Sequence, residues 1–376
     1  MITNIPKHWK IKKLGEICKV NQGLQIAIEE RFTEPIENGY FYITNEFLKA
    51  NSKTKYYIKN PSKSVLCSKE DILMTRTGNT GIVVSDVEGV FHNNFFKIDY
   101  DKKLLHKDYF VYYLKNDRMQ YDILVKAGNS TIPDLNHSDF YTLQIAIPPL
   151  KEQEKIAEIL LSCDKAIRLT TQIITQLKQR NQGLAQQLLT GEKRVKGFEN
   201  SVWKEVRLGE IGEVYQPETI SQSLLTEKGF KVYGANGVIG YYSRYNHENE
   251  QIAVVCRGST CGLVNFTEAK SWITGNAMVI NLDGNPNYSK LFVYEYLKSD
   301  NLNYLITGSG QPQITSEIKK HIIKVPSFKE QNAIAQILDT AHQELKLYEQ
   351  KLQLLQAQKK TLMQKLLTGE VLTIKK

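Results

Sequence analysis

The sequence predicts an α+β protein: two pseudo-symmetric mixed α/β globules joined by two long helices that form an antiparallel coiled coil. Three observations predict this. A heptad-like apolar register occurs twice in the 376 residues, the residues bracketing each occurrence repeat, and so does the segment ahead of each globule.

The first register reads Ile156, Leu160, Cys163, Ile167, Thr170, Ile174, Leu177, Asn181, Leu184 and Leu188. The second begins 178 residues downstream and reads Ile334, Leu338, Ala341, Leu345, Tyr348, Leu352, Leu355, Lys359, Leu362 and Leu366. Alternating steps of four and three are the pattern of a two-helix seam. Pro148 and Lys151-Glu152-Gln153 precede the first run as Pro326 and Lys329-Glu330-Gln331 precede the second. Leu188-Leu189-Thr190-Gly191-Glu192 returns as Leu366-Leu367-Thr368-Gly369-Glu370, with each glycine where a left-handed residue ends a helix. About forty residues at 1.5 Å each make a rod of roughly 60 Å, too long for one small core. The helices are therefore expected to pair, with Asn181 facing Ala341 and Lys359 facing Cys163. Separate packing on two cores is the alternative. Neither run is apolar enough to span a bilayer.

The opening segment Trp9-Lys10 with Leu14-Gly15-Glu16-Ile17 returns as Trp203-Lys204 with Leu208-Gly209-Glu210-Ile211, so the chain reads as a tandem duplication. In the first globule, β-branched and aromatic content predicts strands near 40–44, 71–75, 81–85 and 95–98, then a helix over about 107–116. In the second, strands near 230–233, 251–255, 262–265 and 277–281 precede a helix over about 289–299. The matching tails Tyr113-Leu114-Lys115 and Tyr296-Leu297-Lys298 align the two helices.

Composition is that of a folded soluble protein, 41% hydrophobic and 24% charged. A net charge of +9 points to a polyanionic partner. The five cysteines form no CxxC pair and are odd in number, which predicts reduced thiols in the cytoplasm. Residues 1–14 lack the apolar core of a signal peptide. No GxxxxGK[ST] loop appears, and the seven histidines lack metal-ligand spacing, so neither a nucleotide nor a metal site is expected. Asn285-Pro286-Asn287-Tyr288 approaches the Asn-Pro-Pro-Tyr loop of amino-group DNA methyltransferases, but Asn stands at the second proline and no glycine-rich cofactor loop precedes it. It reads as a turn. Glu268-Ala269-Lys270 lacks the preceding Asp of a nuclease motif.

The copies share scaffolding and differ in their loops, so they are expected to touch different things. Arg76-Thr77-Gly78-Asn79-Thr80-Gly81 stands where the second copy has Arg257-Gly258-Ser259-Thr260-Cys261-Gly262. Gly128-Asn129-Ser130-Thr131-Ile132-Pro133 likewise stands against Gly308-Ser309-Gly310-Gln311-Pro312-Gln313. Such residues also dominate ordinary turns. Yet Arg can grip a guanine edge, Asn and Gln an adenine edge, and backbone N–H groups a phosphate. Tyrosines cluster near Asn236 and Arg244, which suggests a groove wall there. The candidate DNA-binding residues are Arg76, Thr77, Asn79, Thr80, Asn129, Ser130, Thr131, Asn236, Arg244, Arg257, Ser259, Thr260, Gln311 and Gln313. No catalytic or metal residue is assigned.

The duplicated Leu-Gly-Glu-Ile opening, the Pro-x-x-Lys-Glu-Gln helix start and the Leu-Leu-Thr-Gly-Glu helix end resemble the specificity subunit of type I restriction-modification systems, over nearly the whole chain. The resemblance implies target-recognition domains at 1–147 and 193–325, and spacer helices at 148–192 and 326–376, the latter with a C-terminal tail. It implies that each domain reads one half of a bipartite asymmetric double-stranded DNA site while the coiled coil sets the gap. Two methylation subunits and restriction/translocase subunits are the implied partners, with S-adenosylmethionine, ATP and Mg bound on them and no membrane involved. The chain itself is then non-catalytic, in a complex with adenine methyltransferase and ATP-dependent endonuclease activity. A modification-only or fused restriction-methylation system, or a coiled-coil protein-binding scaffold without DNA specificity, are the alternatives.

Overall fold

A computed structural model describes residues 5–373 apart from 50, 51, 53, 129, 130 and 309. It divides into two compact units, residues 1–170 with 351–376, and residues 171–350. Each unit holds one globule and half of each long helix.

In the first unit, strand Lys10–Lys13 lies antiparallel to Gln144–Ile147, so the opening segment is tied to the strand that leads into the long helix. An antiparallel sheet follows in the order Cys18–Gln22, Phe95–Tyr100, Ile72–Thr75, Val83–Ser85. A second sheet orders Tyr56–Lys59, Gly39–Ile43, Gly89–Phe91 and Leu66–Cys67, its middle pair parallel. Helices Lys107–Lys115, Asp117–Ala127 and His137–Thr142 complete the globule. Apolar residues of these helices and of the first sheet, among them Phe96, Ile98, Phe110, Leu114 and Phe140, form the core. Ile156 and Leu160 of the first long helix and Leu366 and Leu367 of the second join it.

The second unit repeats the plan. Lys204–Arg207 pairs with Ile322–Val325, and Glu213–Tyr215, Ala277–Asn281, Ile252–Val255 and Val264–Phe266 form an antiparallel sheet. Gly237–Tyr242, Phe230–Gly234 and Trp272–Ile273 form a smaller one, again with a parallel pair. One α-helix, Lys290–Ser299, follows, then 3-10 turns where the first unit has two further helices. Leu188, Leu189, Ile334, Ala335 and Leu338 bring the long helices into its core.

The long helices run Leu150–Leu189 and Phe328–Thr368. Within each unit the two segments pair antiparallel. In the second, Asn181 Nδ2 donates to Ala341 O at 2.8 Å, Arg180 pairs with Glu344 at 2.7 Å and Lys178 with Glu349 at 2.9 Å. In the first, Lys359 Nζ donates to Asp164, not to Cys163, and Tyr112 OH donates to the same carboxylate at 2.6 Å. The seam lysine leans its ammonium out to the nearest carboxylate, one residue beyond the expected neighbour. Gly191 and Gly369 take φ of 75° and 73°, ending both helices in the left-handed conformation. At Gly369 a side chain would collide with Pro6 at 2.3 Å.

The Lys-Glu-Gln repeat has a physical cause. Gln153 Oε1 accepts the His106 N–H at 2.8 Å while its Nε2 donates to Leu104 O at 2.9 Å and Pro148 O at 2.8 Å. Gln331 does the same with Ser289 N–H, Asn287 O and Pro326 O. The glutamine fastens each long helix to the turn before the helix that starts at 107 or 290. The preceding glutamate is buried too, Glu152 accepting from Trp9 Nε1 and Glu330 from a bidentate Arg194. Asn285 to Tyr288 is that same turn in the second unit, bonded to Ile211 O through Asn285.

Candidate nucleic-acid interface

Both loop pairs singled out in the sequence converge in their own globule. Strand Ile72–Thr75 is followed by Arg76, whose N–H donates to Asn94 O at 2.7 Å and whose carbonyl accepts from Leu135 N–H at 2.9 Å. Thr77 bridges to Asp134, and Asp134 N–H returns to Ala127 O. The loop after the central strand is thereby sewn to the segment that follows helix Asp117–Ala127. In the second globule, Cys256 N–H donates to Asn276 O at 2.9 Å, Ile314 N–H to Cys256 O, and Arg257 bridges to Gln313. Gln313 N–H returns to Thr307 O.

These bonds correct both loop alignments. Counting by backbone partners, Arg76 corresponds to Cys256 and Arg257 to Thr77, as do Gly78 and Gly258 with φ of 86° and 89°. Asp134, not Pro133, corresponds to Gln313. The cause is one extra residue in the Arg257 loop, since Gly81 N–H closes on Thr75 O but Gly262 N–H on Val255 O, and one extra residue in the first copy's other loop, since Asp134 N–H returns to Ala127 O but Gln313 N–H to Thr307 O.

The electrostatic settings of the two arginines differ accordingly. Arg76 pairs with Asp134 at 2.8 Å, lies over the Phe96 ring and has a side chain only 20% exposed. Thr77 hydroxyl also donates to Asp134. Arg257 is exposed, and among the described residues no carboxylate pairs with it.

Other candidates divide. Asn79, Thr131, Asn236, Ser259, Gln311 and Gln313 are exposed, and Thr260 hydroxyl lies 3.2 Å from Asn236 Oδ1, which joins the tip of the 230–242 hairpin to the cluster. Thr80 is a correction: it is buried, its hydroxyl 2.6 Å from Pro133 O, so it fastens the two loops together instead of facing a ligand. Arg244 is another. It lies beyond Tyr242, at the hairpin end away from Asn236, and no hydrogen bond or ion pair joins it to the loops among the described residues. Asn129 and Ser130 lie outside the described residues.

Sequence reasoning missed the amides beside the first cluster. Asn45 Nδ2 donates to Thr77 O at 3.2 Å, and Asn93 Nδ2 to Gln25 Oε1 at 2.8 Å, on the turn whose Asn94 receives Arg76 N–H. The available signal was the Asn shared by both copies before the last sheet strand, Asn94 and Asn276. In that turn, burial first and the Arg31 guanidinium second hold His92 down to about 4, so its neutral Nδ1 accepts Asn94 N–H at 3.1 Å.

Each globule thus presents hydroxyl, amide and guanidinium groups on braced loops, the groups that read base edges. Among the described residues, no group of three or more His, Cys, Asp or Glu could hold a metal ion, and no helix is long and apolar enough to cross a membrane. Residues 6–179 and again residues 200–357 match the family described as the type I restriction modification DNA specificity domain. The chain belongs to this family. It is a type I restriction-modification specificity subunit with two target-recognition domains, acting in DNA recognition within the assembled complex. Specificity subunits of this kind are generally non-catalytic. The chain is similar to the type I restriction enzyme MjaVIII specificity subunit of Methanocaldococcus jannaschii, 24% identical over 98% of this chain and 94% of that protein. It is also similar to the EcoprrI specificity subunit of Escherichia coli, 28% identical over 43% of this chain and 40% of that one. The crystal structure of the S subunit of a type I system from M. genitalium shares the fold, with a TM-score of 0.68 and 20% identity over 97% of both chains.

Proposed function

We propose that this specificity subunit reads a bipartite, asymmetric double-stranded DNA site, one half-site per target-recognition domain, at 1–147 and 193–325. The spacer helices, 148–192 and 326–376, set the gap. The reading rests chiefly on one observation: in each globule the two divergent loops converge at the end of the same sheet strand, braced by equivalent backbone bonds. A shared scaffold carrying different loop chemistry suits two different half-sites. Arg257, Ser259, Asn236, Gln311 and Gln313 are the contacts proposed for the second domain, and Arg76, Thr77, Asn79 and Thr131 for the first, with Asn45, Asn93 and Gln25 beside them. The chain recruits two methylation subunits, which supply adenine methylation with S-adenosylmethionine, and restriction/translocase subunits, which supply ATP- and Mg-dependent cleavage, in the cytoplasm.

The test is domain exchange. Replacing residues 20–147 with the corresponding stretch of a relative, and mapping methylated positions in DNA, is expected to change one half-site and leave the other and the spacer intact. The purified chain alone is expected to transfer no methyl group. Change in both half-sites, or methylation by the chain alone, would overturn the reading.

A further inference from the structure

In the second globule the hairpin formed by Phe230–Gly234 and Gly237–Tyr242 leaves two consecutive aliphatic side chains in the open. Val238 and Ile239 are 44% and 45% exposed, on the outer strand of the three-stranded sheet. Regular alternation would turn one of them to the opposite face. A bulge prevents this, since Tyr233 pairs with Val238 but Val232 with Gly240, so Ile239 is the extra residue. Both side chains are held in place. Ile239 lies over Gly234, where a side-chain carbon would come within 2.9 Å of Ile239 Cγ2. The turn ahead of them is fastened to the recognition loop by Thr260, whose hydroxyl donates to Ala235 O at 3.3 Å and lies 3.2 Å from Asn236 Oδ1. The aliphatic pair therefore continues the surface on which Asn236, Arg257 and Ser259 stand.

The first globule does otherwise at the same place. Its parallel-paired strand Gly39–Ile43, the counterpart of Phe230–Gly234, leads into the 3-10 turn Asn45–Leu48, and the group it sends to the loop is the Asn45 amide on Thr77 O. The copies thus differ in chemistry at one matched position, an amide in the first and an aliphatic pair in the second. A two-stranded β-ribbon fits the major groove of B-DNA. There the base edges offer donors, acceptors and one apolar group, the C5-methyl of thymine. A phosphate contact calls for a cation or an N–H or O–H donor, which valine and isoleucine side chains do not supply.

We propose that Val238 and Ile239 are specificity-determining residues, reading the C5-methyl of a thymine in the second half-site. This rests on the proposed reading of one half-site by the second domain and deepens it.

The test titrates the chain, assembled with its methylation subunits, against duplexes of its mapped target. The second half-site is the one that exchange of residues 20–147 leaves intact. Each thymine in it is replaced in turn by deoxyuridine, which lacks only the methyl group. The wild-type complex is expected to bind at least one such duplex about fourfold more weakly, the worth of one buried methyl group. The double variant Val238→Ser/Ile239→Ser, changed at exposed positions, is expected to bind the thymine duplex only as well as the wild type binds the uracil one. Its response to deoxyuridine in the first half-site should match that of the wild type. A second half-site in which every thymine can lose its methyl group without effect would overturn the inference, as would a serine variant that still prefers thymine. A variant weakened equally on thymine and uracil duplexes would overturn it too, and would make the pair a wedge between base steps or a prop for the hairpin. A wild-type complex that binds its target no better than unrelated DNA of the same length would overturn the half-site reading itself.

Discussion

Arg76 and Arg257 carry the same side chain in opposite settings, and the difference predicts different mutant behaviour. Arg257→Ala removes an exposed guanidinium that no carboxylate among the described residues pairs with, so DNA binding should weaken by about 1–3 kcal/mol with relaxed preference at one base position. Arg76→Ala removes a charge already shared with Asp134 and leaves that carboxylate unpaired at the proposed interface. The double variant Arg76→Ala/Asp134→Ala should then bind DNA more tightly than Arg76→Ala alone, in titrations at two salt concentrations. Equal binding by the two would show that the Asp134 charge does not act on the DNA. The sequence made both loop pairs visible because glycine, hydroxyl and amide residues cluster in them. It hid which residues correspond, since each copy has one extra residue in a different loop of the pair and only the backbone bonds reveal it. Asn45 and Gln25 were hidden for another reason. They reach the site through the parallel pairing of Gly39–Ile43 with Gly89–Phe91 and the Leu24–His92 bridge, which join segments far apart in sequence.

Among the elements, the long helices were the most legible, because forty residues of one register leave few alternatives. Helix Asp117–Ala127 was not. It buries Met119, Ile123 and Ala127 but exposes Tyr121, Leu124 and Val125, so apolar residues on both faces erase the 3.6-residue period. Strands of two or three residues, such as Trp272–Ile273, are too short to show alternation. The repeated glutamine was visible as a motif, while its work was not. Gln153→Ala leaves the His106 N–H and two carbonyls without their partner, and Gln331→Ala does the same in the second unit. Each should cost about 2–4 kcal/mol, against less than about 0.5 kcal/mol for the exposed Lys151→Ala. Denaturation of each variant measures the cost, and faster hydrogen exchange at the His106 or Ser289 amide locates it.

At the scale of the whole molecule the proposal is a ruler, and the polar seam contacts provide a way to test it. Asn181 bonds to Ala341 O inside one unit and Lys359 to Asp164 inside the other, so residues added after Thr170 and after Leu352 leave both contacts untouched. The number added decides whether the DNA can follow. One heptad in each helix advances about 10 Å and turns about 20° short of two full circles. Three base pairs advance about the same distance, at 3.4 Å per step, but turn about 105° at 10 to 10.5 pairs per turn. Three heptads in each helix advance about 32 Å and turn about 300° beyond five full circles. Nine base pairs advance about 31 Å and turn about 310–325°. Rise and rotation therefore agree for three heptads and disagree for one. The variant with three leucine-seam heptads added to both helices should modify sites with the original half-sites and a spacer nine base pairs longer, read by mapping methylated positions. The one-heptad variant should lose most of its activity. An active three-heptad variant that keeps the original spacer would show that the helix pair does not set the distance.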